Sequence, residues 1–335
     1  MRELVIVITD LYPAADALAG ERAAAPALAG LAQAARFAER QALTGGWRDW
    51  LVRRLGRADL APVAPANIAA AAAPPPSAAV RSQWIATPVY LQAGLSQVHL
   101  DHRGVLRLPA ATLTRLAASF AHTFAGAGLE LVPLPGGEFL LRAAGIAALE
   151  TPEPERCAGA EIGASLPRGA AAAALRRTAA EIEMWLHSQS SASLVNALWL
   201  WGAGGADLGR QPAHAGAFPW RAFGADAYLD GLMALEGARC EPVPRGLGTL
   251  LQADASADVV LALRVAEELQ MTMPVSFSEG LARLDERFIA PAVAALRSGV
   301  LARLTLIAND RALTLGPRSA LRFWRRARAP LEAFA

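Results

Sequence analysis

Residues 4–8, Leu-Val-Ile-Val-Ile, form an unbroken run of apolar and mostly β-branched side chains that Thr9 and Asp10 bring to an end. A strand with one wet face alternates apolar and polar residues, whereas a run without alternation describes a strand buried on both faces. Residues 26–40 then return to helical spacing through Leu28, Leu31, Ala35 and Phe37. The chain therefore opens as strand, loop and helix, the order of an α/β fold. Runs of the same kind at 196–201, 258–263 and 304–308 are expected to join 4–8 in one sheet with helices on both faces.

At 335 residues the chain can hold one large α/β unit with an insertion. The stretch 61–77 carries five prolines and an alanine run and reads as a linker or irregular crossing. Beyond it the pattern changes to a small α/β lobe. A short apolar segment at 98–100 leads to turn residues 101–104, and a helix is expected over 110–124. An apolar run at 129–134, a Gly136-Gly137 turn and Phe139-Leu140-Leu141 form a hairpin signal. The Pro-, Gly- and Glu-rich segment 150–168 marks the exit. The predicted organisation is a core begun by 1–84, an inserted lobe at 85–148 and the rest of the core at 149–335. The lobe should carry its own core, with Leu113, Leu116 and Phe120 of its helix against the hairpin, so that deleting it leaves a foldable remainder.

Later segments fit the same scheme. Leu175, Ala179, Ile182 and Leu186 give a helical stripe. Residues 278–295 read as a helix with Glu279 near its amino end, where the dipole favours an acid. Asn309-Asp310 closes a hairpin between 304–308 and 312–315. The closing Arg318, Arg322, Arg325, Arg326 and Arg328 surround Phe323 and Trp324 and read as a solvated terminal helix or an anion-binding surface.

All 32 basic residues are arginine, a usage that with the abundant alanine fits a GC-rich bacterial genome. Without lysine there is no Schiff-base enzyme and no phosphate-binding lysine of the nucleotide-kinase type. A net charge of +2 gives no general attraction to nucleic acid or anionic lipid. No long uncharged apolar stretch suggests a membrane span, and the amino-terminal run is too short for a secretory signal, so a cytoplasmic protein is expected. Cys157 and Cys240 lie far apart and suggest neither disulfide nor zinc site.

Few motifs carry chemistry. None of the five histidines, His99, His102, His122, His187 and His214, pairs with another at helical metal-ligand spacing. Asp101-His102 fits either a metal-site step or a turn. No nucleophile elbow is present, since Ser276-Phe-Ser-Glu-Gly280 has the wrong order. Gly202-x-Gly204-Gly205 follows an apolar run, as either a phosphate-cradling turn or a tight turn for close packing would. Asp10 stands where α/β sheets place functional acids, beyond the carboxyl end of a strand, and where a helix or turn cap would also stand.

Residues 84–88 with Leu91, the segments 181–187 and 196–204, and the closing Arg322-Phe323-Trp324-Arg325-Arg326 resemble the RpfE-type regulatory proteins of proteobacteria. That family is similar to archaeal-type cofactor-independent phosphoglycerate mutases of the alkaline phosphatase superfamily. The resemblance implies a three-layer αβα alkaline-phosphatase-like sheet with a small inserted α/β lobe, and it would be contradicted if 4–8 and 196–201 lay in different sheets. It also implies two divalent metals and a phosphoserine in a working mutase. Only Asp10 maps onto a metal ligand. Asn309-Asp310-Arg311 stands where the mutases have an Asp-His step, and Trp201 where they have an arginine. Thr44, Ser77 and Ser82 are the hydroxyls near the nucleophile's place. The candidate vestigial site is therefore Asp10, Trp201, Gly202, Gly204, His214 and Asp310, with no metal, no cofactor and no catalytic residue expected. The function expected is that of a silent mutase-like protein binding a protein partner or a small anion. The competing expectation is a phosphohydrolase or phosphomutase that gathers Asp10, Asp254, Asp258, Asp310 and His214 around one metal.

Overall fold

The computed structural model describes residues 3–12, 28–77, 79–94, 97–170, 172–189, 194–205, 218–253, 257–270, 277–319 and 331–334. In chain order the first elements are β1 (Glu3–Ile8), α1 (Ala29–Phe37), β2 (Glu39–Ala42), α2 (Gly46–Arg54) and α3 (Pro65–Ala69). Next come β3 (Ser82–Ala93), β4 (Val98–Val105), α4 (Ala110–Thr123), β5 (Leu129–Pro133), β6 (Phe139–Ala143) and α5 (Pro154–Cys157). They are followed by α6 (Ala172–Ser188), β7 (Ala197–Gly205), β8 (Trp220–Phe223), α7 (Ala227–Leu235), β9 (Cys240–Glu241) and α8 (Leu247–Ala253). The last are β10 (Asp258–Leu263), α9 (Val265–Gln270), α10 (Phe277–Leu284), α11 (Ala290–Arg297), β11 (Arg303–Ala308) and β12 (Arg311–Leu315). The chain is mixed α/β, with two sheets among the described residues and two compact units.

The first unit comprises 1–61, 216–224 and 240–335. Its seven-stranded sheet has the order β2-β12-β11-β1-β10-β8-β9. β1 lies in the middle, parallel to both β10 and β11, and the hairpin of β11 and β12 adds an antiparallel margin. Leu4, Ile6 and Ile8 pack into one core with residues of α1, α10 and α11, while Val5 and Val7 on the opposite face are equally buried. The unbroken apolar run is thus explained by burial on both faces. Residues 277–297 form one helical stretch interrupted by a π-turn over 285–289. The turn aims the buried Asp285 carboxylate at the start of α1, where it accepts the backbone N–H groups of Gly30 and Leu31 at 2.9 and 2.7 Å. Burial still holds this carboxyl above the usual range.

The second unit comprises 62–215 and 225–239. Its sheet has the order β4-β3-β6-β5, and β7 pairs with the opposite edge of β3 over Ser82 to Val89. As expected for the lobe, Leu113, Leu116 and Phe120 of α4 pack on Leu131, Phe139 and Leu141 of the β5–β6 hairpin. One expectation is overturned. Residues 196–201 do not share a sheet with 4–8, whereas 258–263 and 304–308 do, and the α/β class expected from these runs holds. The physical reason lies in β7 itself. Leu198 and Leu200 face a core shared with α4 and α6, whereas Ala197, Trp199 and Trp201 face another core shared with α3. An unbroken apolar run reports burial on two faces and says nothing about which sheet supplies them. Because α6 and β7 complete this core, the unit extends well beyond 85–148.

Two local expectations are also corrected. The proline- and alanine-rich stretch contains α3, started by Pro65 at its first turn and propagated by good helix formers, with Ala66, Asn67, Ile68 and Ala69 buried. Residues 101–104 are not a hairpin turn but belong to β4, at an irregularity in its pairing with β3. The arginine-rich segment 322–328 lies outside the described residues, as do His214 and Asp254.

Candidate functional site

In the first unit the candidate residues gather at the carboxyl end of the parallel strands. Thr9 extends the β1–β10 pairing by one residue, its N–H donating to the Leu263 carbonyl at 3.0 Å. Asp10 follows and reaches the amino end of α9, where its two carboxylate oxygens accept the backbone N–H groups of Val265 and Ala266, each at 2.8 Å. Those N–H groups have no partner inside the helix, and an anion there also meets the favourable end of the helix dipole. Of the two readings open from sequence, Asp10 takes the cap.

Asn309 and Asp310 both have positive φ, 44° and 54°. They form the two-residue turn that fits the twist of the β11–β12 hairpin, and Asn and Asp tolerate that left-handed backbone better than other side chains. The Asp310 carbonyl accepts the Leu43 N–H at 2.8 Å, and the Asn309 side chain donates to the Phe334 carbonyl at 2.7 Å. Asp310 thus stands at the same sheet end as Asp10, for reasons that turn geometry supplies. Two arginines stand at this end: Arg264, directly after β10 and 3% exposed, which escaped the sequence reading, and Arg311, which opens β12 and was read only as the end of the Asn309-Asp310-Arg311 step. The signal that would have found Arg264 is the one that singled out Asp10, a charged residue just past an apolar strand.

Asp258 does not join this group. It is the first residue of β10, and its carboxylate accepts the Glu3 N–H at 2.9 Å at the opposite end of the sheet. Five residues of strand separate the two ends, on the order of 17 Å, whereas oxygen ligands sit about 2.0–2.6 Å from a shared cation. Asp10 and Asp258 cannot bind one metal. Among the described residues no three His, Cys, Asp or Glu side chains are grouped to hold an ion. The donor set among the described residues does not fit the two-metal centre that the resemblance implies.

Trp201, Gly202 and Gly204 belong to the second unit, and all three have packing roles there. The Trp201 indole N–H donates to the Thr87 hydroxyl at 2.8 Å. Gly202 has φ +65°, and a Cβ on it would lie 2.9 Å from Pro65 Cβ. A Cβ on Gly204 would fall 2.2 Å from Asn67 Oδ1, which itself accepts the Gln83 side chain at 2.8 Å. Residues 202–205 lie within β7, so neither turn that the sequence offered is present there, and the missing Cβ atoms let α3 approach the strand. Gly204→Ala is expected to cost about 1–3 kcal/mol through this overlap, measured by urea unfolding. A loss below 0.5 kcal/mol would mean that the contact is not close. Ser82, another candidate hydroxyl, is buried in β3 and donates to the Ile146 carbonyl.

The same Thr87 leads to a feature that the sequence did not reveal. Its hydroxyl donates to Glu138, a carboxylate only 1% exposed in the β5–β6 turn. Arg107 lies 3.4 Å from Glu138 and 3.1 Å from the buried Glu155. The Ala227 N–H approaches Glu138 Oε2 at 3.4 Å, beside Asp226, whose carboxylate caps α7 through the Leu229 N–H at 2.9 Å. Burial pushes the Glu138 carboxyl up, Arg107 pulls it down, and the neighbouring Asp226 and Glu155 push it up again. Acids and a basic residue scattered over 87–227 carry no sequence signature of convergence. Cys157 is inert by comparison: burial raises its thiol, which donates to Ser165 Oγ at 3.4 Å.

Among the described residues no helix is long and apolar enough to cross a membrane. No family model matches the chain, and no curated protein matches it either. Similar solved structures include the following two. The cofactor-independent phosphoglycerate mutase from Thermoplasma acidophilum is 14% identical, with a TM-score of 0.40 over 93% of this chain and 88% of that one. The PH0037 protein from Pyrococcus horikoshii is 12% identical, with a TM-score of 0.45 over 94% of this chain and 87% of that one.

Proposed function

We propose that this protein is a catalytically silent phosphoglycerate-mutase-like protein with a regulatory or scaffold role, which binds a small anion or a protein partner and turns nothing over. The observation that carries this reading is the capture of both Asp10 oxygens by the backbone of α9. Metal-assisted phosphoryl transfer needs several anionic or imidazole ligands to hold its ions. Asp10 is engaged as a cap and Asp258 stands at the far end of the sheet. Arg264 and Arg311 stand at the carboxyl end of the strands, and a guanidinium is the group by which a phosphate or carboxylate is held bidentately.

The test is calorimetric titration with manganese, zinc and inorganic phosphate, beside a phosphorus NMR assay of 2- and 3-phosphoglycerate. The expected result is no tight metal binding, no interconversion, and phosphate binding that Arg264→Met removes. Tight metal binding lost in Asp10→Ala, with turnover in the same sample, would instead identify a metal-dependent phosphomutase or phosphohydrolase. Phosphate binding unchanged by Arg264→Met would refute the anion part.

A further inference from the structure

A cleft of about 90 Å³ opens in the second unit between α6 and β7. A single water needs about 10–15 Å³ measured in the same way, so the space suits one ring or a short alkyl chain and is far too small for a nucleotide. Its wall is mainly apolar, with Leu198 and Leu200 of β7 on one side, Leu175 and Ala179 of α6 on the other, and the exposed Leu166 also lining it. The polar groups around it are nearly all committed. The Thr151 hydroxyl donates to the Leu200 carbonyl, the Trp199 indole N–H to the Pro152 carbonyl at 2.8 Å, and Arg176 Nη1 to the Pro167 carbonyl at 2.8 Å.

Glu183 is the exception. It lines the cleft half-buried, and its carboxylate takes no hydrogen bond or ion pair from any described residue. The exposed His187, one helical turn further on, is near enough to favour the charged form, but burial outweighs it and the carboxyl is raised. Arg176 lies two turns the other way, about 10.5 Å along the helix axis at 1.5 Å per residue. A half-buried carboxylate without a donor is costly, and a charge-assisted hydrogen bond from a ligand would relieve that cost.

We infer that this cleft is a binding site for a small apolar amine, its hydrocarbon body against Leu198 and Leu200 and its ammonium group on Glu183. This goes beyond the proposed anion binding, since the site lies in the other unit and takes the opposite charge. An anionic head group would meet Glu183 with like charge. A neutral alcohol would fill the cleft and satisfy the carboxylate less well.

The experiment is ligand-observed NMR and calorimetry of the full chain with benzylamine, benzyl alcohol and benzoate. Benzylamine is expected to bind at least tenfold more tightly than either analogue. Glu183→Gln should bring its affinity down to that of benzyl alcohol, without loss of thermal stability, because no described partner of the carboxylate is lost. Ala179→Phe, which fills the cleft, should abolish binding of both. Phosphate binding in the first unit should be unchanged by either substitution, so that this site and the anion reading stand or fall separately. Benzoate binding as tightly as benzylamine, an amine preference surviving Glu183→Gln, or no binding of any probe at millimolar concentration would each overturn the inference.

Discussion

Replacing Arg107 by methionine is expected to destabilise the protein by about 3–5 kcal/mol. Arg107 is 10% exposed and lies between two carboxylates, Glu138 and Glu155, that are 1% and 5% exposed. A buried pair can be worth little against an apolar replacement of all its members. Removing one member is different, because it strands charge in a low-dielectric interior. Methionine keeps most of the side-chain volume, so the loss reports charge rather than a cavity. The pH dependence follows from Glu138, whose carboxyl is raised in the folded protein. Between its unfolded value, about 4.3, and the raised folded value, the native state holds more protons than the unfolded one, so stability falls as pH rises through that window. Arg107→Met removes the influence that lowers Glu138 and should carry the decline to higher pH. Glu138→Gln should flatten it. Urea unfolding at a series of pH values decides the matter, and a loss under 1 kcal/mol in Arg107→Met would show that the network is open to solvent.

Excising residues 85–148 is expected to leave no soluble, folded remainder, the reverse of what the sequence pattern implied. The excision removes α4, β4, β5 and β6 and nearly all of β3, the strand on which β7 is paired. Trp185, Leu198 and Leu200 would lose the aromatic and aliphatic core that Phe120, Phe139 and Leu141 supply, including the edge-on contact of Phe120 and Trp185 at 5.2 Å. Trp199 and Trp201 would lose Ile85 and Leu140 on the other face. A domain is stable by only about 5–15 kcal/mol, less than the burial of several such side chains contributes. Expression of the excised protein, followed by near-ultraviolet circular dichroism, tests this. A soluble product with a cooperative unfolding transition would restore the independent lobe.

How far the sequence spoke depends on the kind of signal. Most local patterns translated, the readings of 61–77 and 101–104 excepted. Residues 258–263 and 304–308 form strands of the sheet that holds 4–8, α4 covers nearly all of 110–124, and Asn309-Asp310 makes the hairpin turn. Each depends on neighbours along the chain, where periodicity and turn chemistry act. Partnership between distant segments was not legible, because burial on both faces makes 4–8 and 196–201 look alike while their sheets differ. The candidate site shows the same division. Asp10 and Asp310 were found by position, but whether a carboxylate is a ligand or a cap depends on which N–H groups reach it, and those of Val265 and Ala266 lie about 255 residues away. Glu138 and Arg107 converge through tertiary packing and leave no spacing to read.

The sign of the stability change in Asp10→Ala tests most directly whether this site is built for structure or for metal chemistry. A carboxylate that caps α9 stabilises the fold, whereas a ligand held ready for a cation is commonly unfavourable to it until the cation binds. Thermal and urea unfolding of the native and substituted proteins, each with and without millimolar manganese, separates the two. The expected result is a loss of about 1–3 kcal/mol in Asp10→Ala and a melting temperature of the native protein that manganese leaves unchanged. A more stable Asp10→Ala variant, together with a native protein stabilised by manganese by about 2.7 kcal/mol at a hundredfold excess over its dissociation constant, would contradict it.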